Sequence, residues 1–95
     1  MTATYREQGD IAVITGAASG FGLEFSLQAA RRGLNVVMSD VQADALQAAA
    51  QRVREAGGTV LACTGDIAQS AAVEALLQQT LERFGVPHLV FNNAG

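Results

Sequence analysis

The stretch IAVITGAASGFG, residues 11 to 22, joins a short apolar run to a turn of very small side chains. Residues 11–15 are apolar almost throughout, as expected for a parallel strand that is covered on both faces. Three glycines follow, Gly16, Gly20 and Gly22, with the spacing G-x3-G-x-G. Glycine lets the backbone approach a ligand closely, and the N–H groups that begin a helix favour an anion such as pyrophosphate. The stretch therefore predicts a strand, a phosphate-binding turn and a helix in succession.

The glycine turn on its own leaves a structural alternative open. Its spacing is not the common G-x-G-x-x-G, because the third glycine of that pattern would fall at Phe25. It is not a P-loop either, because no Gly-Lys-Ser/Thr follows. A turn that only packs a helix closely against a strand would also use glycines.

Asp40 favours the ligand interpretation. It ends the second predicted strand, 18 residues after Gly22 (40 − 22), near the offset of about 20 residues at which an acid meets the adenosine ribose of a dinucleotide. Its alternative role, which does not exclude the first, is to cap the second helix, since aspartate is a good N-cap.

Four β-type runs alternate with three helix-type segments along the chain. The strands are predicted over 11–15, 35–39, 59–64 and 89–91, and the helices over 20–32, over a segment that ends at Gly57-Gly58, and from a Ser70 cap to Gly85. The order β-α-β-α-β-α-β, without a hairpin signal, predicts an α/β fold: a doubly wound parallel sheet of order 3-2-1-4 with helices on both faces. An apolar strand ends the chain with no helix after it, so we expect the domain to be truncated there.

Composition excludes several classes of function. The 95 residues are 49% hydrophobic, with a mean hydropathy of +0.22, which suits one small globular domain. All six basic residues are arginines spread along a chain of net charge −3, so we expect no nucleic-acid partner. No apolar run is long enough to predict a membrane span or a secretion signal. The single cysteine, Cys63, forms no internal disulfide, and we expect a cytoplasmic protein.

Two motifs together resemble those of the short-chain dehydrogenase/reductase family. TGAASGFG, residues 15–22, resembles its T-G-x3-G-x-G cofactor loop, and NNAG, residues 92–95, matches its N-N-A-G at the end of the fourth strand. Asp66-Ile67 is similar to the family's Asp-aliphatic pair after the third strand. The resemblance covers the whole chain but only the first half of a typical member. It implies a Rossmann-type fold and an NAD(P)-dependent oxidoreductase that transfers hydride between the nicotinamide and an alcohol or carbonyl substrate, and that forms a homo-oligomer when full length.

The resemblance also implies roles for single residues, with residues 1–95 as the N-terminal part of a longer cofactor-binding domain. The residues expected to contact the cofactor are Gly16, Ser19, Gly20, Phe21 and Gly22 at the phosphates, Asp40 at the adenosine ribose, Asp66 and Ile67 at the adenine, and Asn93, Ala94 and Gly95 on the adenosine side. The family's catalytic serine and Tyr-x3-Lys pair lie beyond residue 95, so we expect no turnover from this stretch alone. The alternative is a non-catalytic nucleotide-binding module or an inactive fragment; a methyltransferase-like domain is disfavoured by N-N-A-G.

Asp40 also predicts the choice of cofactor. A carboxylate gains a charge-assisted hydrogen bond from the 2′-hydroxyl of NAD, whereas the 2′-phosphate of NADP brings like charge to the same place. Ser19 and Val41 stand where NADP-preferring relatives often carry a basic residue. NAD is therefore the expected cofactor and NADP the alternative.

We expect structural roles for His88 and Cys63, and a mainly core role for Phe21 and Phe25, with Phe21 next to the pyrophosphate.

Overall fold

The computed structural model describes residues 9–93. Its elements are β1 (Ile11–Thr15), α1 (Gly20–Arg31), β2 (Asn35–Asp40), α2 (Ala43–Glu55), β3 (Thr59–Thr64), α3 (Ser70–Arg83) and β4 (Leu89–Asn92). All strand pairs are parallel and the sheet order is β3-β2-β1-β4. The predicted fold class and strand order are confirmed. Within residues 9–93, no helix combines the length and the apolarity that crossing a membrane requires.

The two faces of the sheet bury different residues of the same strands. On β1, Ala12 and Ile14 pack into a core that includes buried residues of α1 and α2, while Ile11 and Val13 pack into a second core with Leu76 of α3. This alternation follows from the twofold period of a strand. Because helices cover both faces, all five residues of β1 are buried, which explains why that strand is apolar almost throughout.

Most helix boundaries follow the predicted punctuation. Gly33, Gly57 and Gly85 follow the three helices with φ of 84°, 106° and 119°, the left-handed region that favours glycine. The predicted Ser70 cap is wrong by one residue. The Val73 N–H donates to the Gln69 carbonyl at 3.2 Å, so the helical ladder begins at Gln69 and Ser70 is already in the first turn.

His88 lies at the amino end of the sheet, away from the strand ends that carry the glycine turn. Its Nδ1 accepts a hydrogen bond from the Ile11 N–H at 3.0 Å, and the backbone N–H of His88 donates to the Ile11 carbonyl at 2.8 Å. Its Nε2 lies 3.9 Å from Oδ1 of Asp10. The imidazole thus joins β1 to the segment before β4, as its predicted structural role requires.

Candidate functional site

A cleft of about 550 Å³ lies at the carboxyl edge of the sheet. Parallel strands of a doubly wound sheet bring their ligand-binding loops together at this edge. The residues from the predicted set that line the cleft are Gly16, Ser19, Gly20, Phe21, Asp40, Asp66, Ile67 and Asn93. Gly22 lies beneath the turn instead. Ala94 and Gly95 lie outside the described residues, so their predicted roles stay predictions.

The three glycines of the turn meet two different requirements. Gly16 and Gly20 have φ of 62° and 60°, which side chains rarely adopt. Gly22 has an ordinary φ, but a Cβ on it would lie 2.1 Å from the Gly16 carbonyl oxygen. Gly22 is therefore needed for close packing of α1 against the turn, as the structural alternative for the glycine turn requires. That alternative does not describe Gly20, because a Cβ there would meet nothing within 4 Å, which leaves open space above the turn for a ligand.

The start of α1 suits an anion. The Ser19 side chain makes no capping hydrogen bond, and the first turn of the helix carries no acidic residue. The first N–H groups of a helix lack intrahelical partners, and the helix dipole adds positive potential at this end. Ser19, Gly20 and Phe21, at this end of the helix, line the cleft. The start of α1 therefore favours an anionic group over a cationic one.

The side chain of Asp40 contacts the glycine turn after β1 and the loop that follows its own strand. Its Oδ2 accepts a hydrogen bond from the Ala18 N–H at 3.0 Å, and its Oδ1 accepts one from the Gln42 N–H at 3.1 Å. The alternative that Asp40 is the N-cap of α2 is wrong, because Gln42 occupies that position. Each carboxylate oxygen keeps acceptor capacity for a ligand, since an ionised carboxylate offers about four lone-pair sites.

Asp66 and Ile67 follow β3 in a tight turn. Oδ1 of Asp66 accepts a hydrogen bond from the Ala68 N–H at 2.9 Å, and the Asp66 carbonyl accepts one from the Gln69 N–H at 2.9 Å. This turn places both side chains on the wall of the cleft that also contains Asp40. An apolar side chain beside a carboxylate suits a flat heterocycle that carries hydrogen-bond donors.

Thr15 joins the end of β1 to the end of β4. Its hydroxyl donates to Oδ1 of Asn92 at 2.8 Å and accepts from the Asn93 N–H at 3.1 Å. Nδ2 of Asn93 donates to the Gly16 carbonyl at 3.3 Å. The two asparagines therefore brace the central strands, as the resemblance implies. This role of Thr15 was not predicted from the sequence, although a hydroxyl at the end of an apolar strand is the signal for it.

The two aromatic residues of α1 have different environments. Phe25 is half-buried and its ring centroid lies 4.5 Å from that of Phe91, so it packs against the core as expected. Phe21 is 80% exposed. The core interpretation is wrong for Phe21, because the first turn of α1 lies at the open cleft, which Phe21 lines.

Four further residues line the cleft without having been predicted as site residues. They are Ser39, Val41, Gln42 and Gly65. Each lies at or just after the carboxyl end of β2 or β3, and the same edge rule that led to Asp40 and Asp66 is the signal that would have found them. Val41 is 58% exposed and carries no charge.

Other chemistry-bearing groups lie away from this cleft. Cys63 is buried, its thiol contacts Oε1 of Gln79 at 3.5 Å, and burial raises the pKa of the thiol. The expected core role of Cys63 agrees with this environment. Among residues 9–93, no group of three or more His, Cys, Asp or Glu side chains is placed to hold a metal ion.

Comparison with known proteins identifies the family. The short chain dehydrogenase family matches residues 10–95. The (2S)-[(R)-hydroxy(phenyl)methyl]succinyl-CoA dehydrogenase subunit BbsD of Thauera aromatica is 38% identical over 88 residues, which are 93% of this chain and 36% of that protein. The chain thus spans about a third of the length of the relatives it matches.

Solved structures show the same architecture. A short-chain dehydrogenase/reductase from Burkholderia phymatum in complex with NAD superposes with a TM-score of 0.91 at 43% identity, over 95% of this chain and 32% of that one. L-sorbose reductase from Gluconobacter frateurii, complexed with NADPH and L-sorbose, gives a TM-score of 0.90 at 36% identity, over 94% of this chain and 34% of that one. From its sequence match and its fold, the chain belongs to the short-chain dehydrogenase/reductase family.

Proposed function

We propose that this chain is the dinucleotide-binding part of an NAD(P)-dependent oxidoreductase. One observation carries the proposal: the glycine turn, Asp40 and the Asp66-Ile67 turn line one cleft at the carboxyl edge of the sheet. That combination offers N–H donors for a pyrophosphate, a carboxylate for a ribose and an apolar wall for a base. The proposal treats residues 1–95 as the N-terminal part of a larger cofactor-binding domain.

Each contact in the proposal follows from the chemistry of the groups. The backbone of Gly16 and of residues 19–22 binds the phosphates, and Phe21 covers them from the solvent side. Asp40 accepts hydrogen bonds from the adenosine ribose. Asp66 and Ile67 hold the adenine, with Asn93, Ala94 and Gly95 along the adenosine side. A bound nicotinamide supplies the site that accepts or donates hydride.

We further propose that NAD is the preferred cofactor. The carboxylate of Asp40 accepts a bond from a ribose 2′-hydroxyl, and a 2′-phosphate would forfeit that bond and add repulsion. Losing a hydrogen bond to a charged group costs about 1.5–3 kcal/mol, which corresponds to a preference on the order of tenfold to a hundredfold. Neither Ser19 nor Val41 supplies a cation for a phosphate. The relatives support a nicotinamide dinucleotide in general, since one is a complex with NAD and another with NADPH.

The experiment measures the dissociation constants of NAD and NADP for the intact protein by calorimetry. The variants are Asp40→Ser and, as a charge-matched control, Asp44→Ser, which changes an exposed carboxylate in the first turn of α2. We expect the wild type and the control to bind NAD at least tenfold more tightly than NADP, and Asp40→Ser to lose that ratio. Equal or tighter binding of NADP by the wild type would refute the preference. Binding of neither cofactor would refute the proposed function.

Turnover is tested separately by following reduced nicotinamide in absorbance with panels of alcohols and carbonyl compounds. We propose that the intact protein transfers hydride, works as a homo-oligomer, and does so in the cytoplasm, where a lone buried thiol such as Cys63 stays reduced. The acid/base groups belong to the part of the protein outside residues 1–95, so residues 1–95 expressed alone should show no turnover. NAD binding by the intact protein without turnover on any panel would instead support a non-catalytic nucleotide-binding module.

A further inference from the structure

Three loops of the cleft meet at Asp40. Its Oδ2 accepts the Ala18 N–H of the glycine turn, its Oδ1 accepts the Gln42 N–H before α2, and its backbone carbonyl accepts the Gly65 N–H after β3 at 3.0 Å. We infer that Asp40 is a positioning residue for the glycine turn as well as the ribose acceptor. Its carboxylate holds the turn in the shape that receives the pyrophosphate before any cofactor arrives. The inference rests on the proposed function for its ligand.

Two successive amides tie the glycine turn to the end of β2. The Ala17 N–H donates to the backbone carbonyl of Ser39 at 3.0 Å, a bond that any residue at position 39 provides. The Ala18 N–H donates to the side chain of Asp40. The second bond therefore depends on the residue at position 40. It is also the stronger kind, because its acceptor is ionised.

The turn needs such a tether because of its own composition. Residues 17–19 lie between Gly16 and Gly20, both in the left-handed region, and glycine loses more conformational freedom on ordering than other residues. Within the turn, the Ser19 side chain makes no capping hydrogen bond that would fix the start of α1. An external acceptor at Ala18 therefore restricts the turn near its middle, directly before the first N–H groups of α1.

The bond from Gln42 fixes the second oxygen of the same carboxylate. With one amide on each oxygen, the plane of the carboxylate is set, and its remaining lone pairs are available to ribose hydroxyls. Asparagine has the same shape but only one acceptor oxygen. In Asp40→Asn, one of the two amides must face an NH2 group, so one tether is lost whichever way the side chain is oriented.

Recognition of the ribose and of the pyrophosphate are thus coupled through one side chain. A substitution of Asp40 that changes cofactor preference also loosens the turn, and this second effect falls equally on NAD and NADP. The loosening of the turn therefore leaves the ratio of the NAD and NADP affinities unchanged, but it lowers both affinities. Electrostatics alone predicts the opposite sign, because removal of a negative charge favours an anionic ligand.

The test uses NAD and an analogue that carries 2′,3′-dideoxyadenosine, so that the ribose offers Asp40 no hydroxyl. Both are titrated calorimetrically into the intact wild-type protein, Asp40→Ala, Asp40→Asn and the control Asp44→Ala. If only about a tenth of Asp40→Ala molecules hold the turn in the shape that receives the pyrophosphate, this variant binds the analogue about tenfold more weakly than wild type does. Asp40→Asn should show a smaller loss and Asp44→Ala none. Unchanged or tighter binding of the analogue by both Asp40 variants would overturn the inference.

Amide hydrogen exchange in the cofactor-free protein gives an independent measurement. We expect Asp40→Ala to speed exchange at Ala18 about tenfold relative to wild type while Ala17 stays protected by Ser39, because exchange reports the population of the open turn. Asp40→Asn should speed it less, and Asp44→Ala should leave both amides unchanged. Equal protection of Ala18 in wild type and both Asp40 variants would refute the tether. If wild type binds no dinucleotide but Ala18 responds as expected, the proposed function fails while the tether stands.

Discussion

Replacing Gly22 with alanine should disrupt the cleft from beneath. The added Cβ would lie 2.1 Å from the Gly16 carbonyl oxygen, 2.8 Å from the Gly16 carbonyl carbon and 3.0 Å from Nδ2 of Asn93. The nearest atoms are backbone, so no flexible side chain can move aside. To reach even 3.0 Å, the oxygen and the Cβ must separate by about a further 0.9 Å, a shift that the packed turn resists.

That displacement has two measurable consequences. Overpacking lowers the free energy of unfolding by about 1–3 kcal/mol. A hydrogen bond of about 3.0 Å from the turn to a phosphate would also lengthen beyond the bonding range of about 3.2 Å. Each lost bond to a charged group costs about 1.5–3 kcal/mol, so NAD affinity should fall at least tenfold.

Denaturant unfolding and calorimetric titration of the intact protein measure both quantities. The matched control for the unfolding measurement is Gly65→Ala, at the same edge of the sheet, where a Cβ would meet only Ala72 Cβ at 3.3 Å. We expect the control to change the unfolding free energy by less than about 1 kcal/mol. A Gly22→Ala protein with wild-type stability and wild-type NAD affinity would refute the close-approach argument.

Three further predictions concern residues outside the cleft. Because burial raises the pKa of the Cys63 thiol, its thiolate fraction at neutral pH is reduced. Iodoacetamide should therefore alkylate Cys63 at least tenfold more slowly than it alkylates glutathione, and the rate should rise with pH. A rate equal to that of glutathione would contradict this. His88→Leu removes the acceptor of the Ile11 N–H and should lower the unfolding free energy by about 1 kcal/mol. His88→Asn keeps an acceptor and should lower the unfolding free energy by less. Equal losses of stability in the two variants would count against the hydrogen bond. Gly58→Ala would place a Cβ 2.7 Å from Ala30 Cβ of α1. In denaturant unfolding it should lower the unfolding free energy by about 1–3 kcal/mol. An unfolding midpoint equal to that of wild type would show that α1 moves aside without cost.

Most of the fold could be predicted because its signals are local and repeated. Apolar runs alternate with helical stripes, and glycines end all three helices at positive φ. The order of elements then leaves few arrangements, since crossovers between parallel strands are right-handed. The helix start at Ser70 was missed by one residue because the residue that begins the hydrogen-bond ladder, Gln69, has no sequence signature of a cap.

The position of the site could be predicted better than its internal contacts. Spacing places Asp40 and Asp66 at strand ends, and strand ends share one edge of the sheet. No sequence motif predicts that the Ala18 N–H donates to the carboxylate of Asp40, because that hydrogen bond depends on the backbone angles of the turn. Helical spacing likewise predicts a core role for Phe21, because spacing does not show that the first turn of α1 lies at an open cleft.

A crystal structure of the intact protein with NAD tests the central claim most directly, namely that this edge of the sheet binds the dinucleotide through the glycine turn and Asp40. We expect the ribose 2′- and 3′-hydroxyls within about 3.2 Å of the Asp40 carboxylate oxygens and the pyrophosphate against the first N–H groups of α1. A dinucleotide bound elsewhere, or with its adenosine ribose turned away from Asp40, would contradict the account.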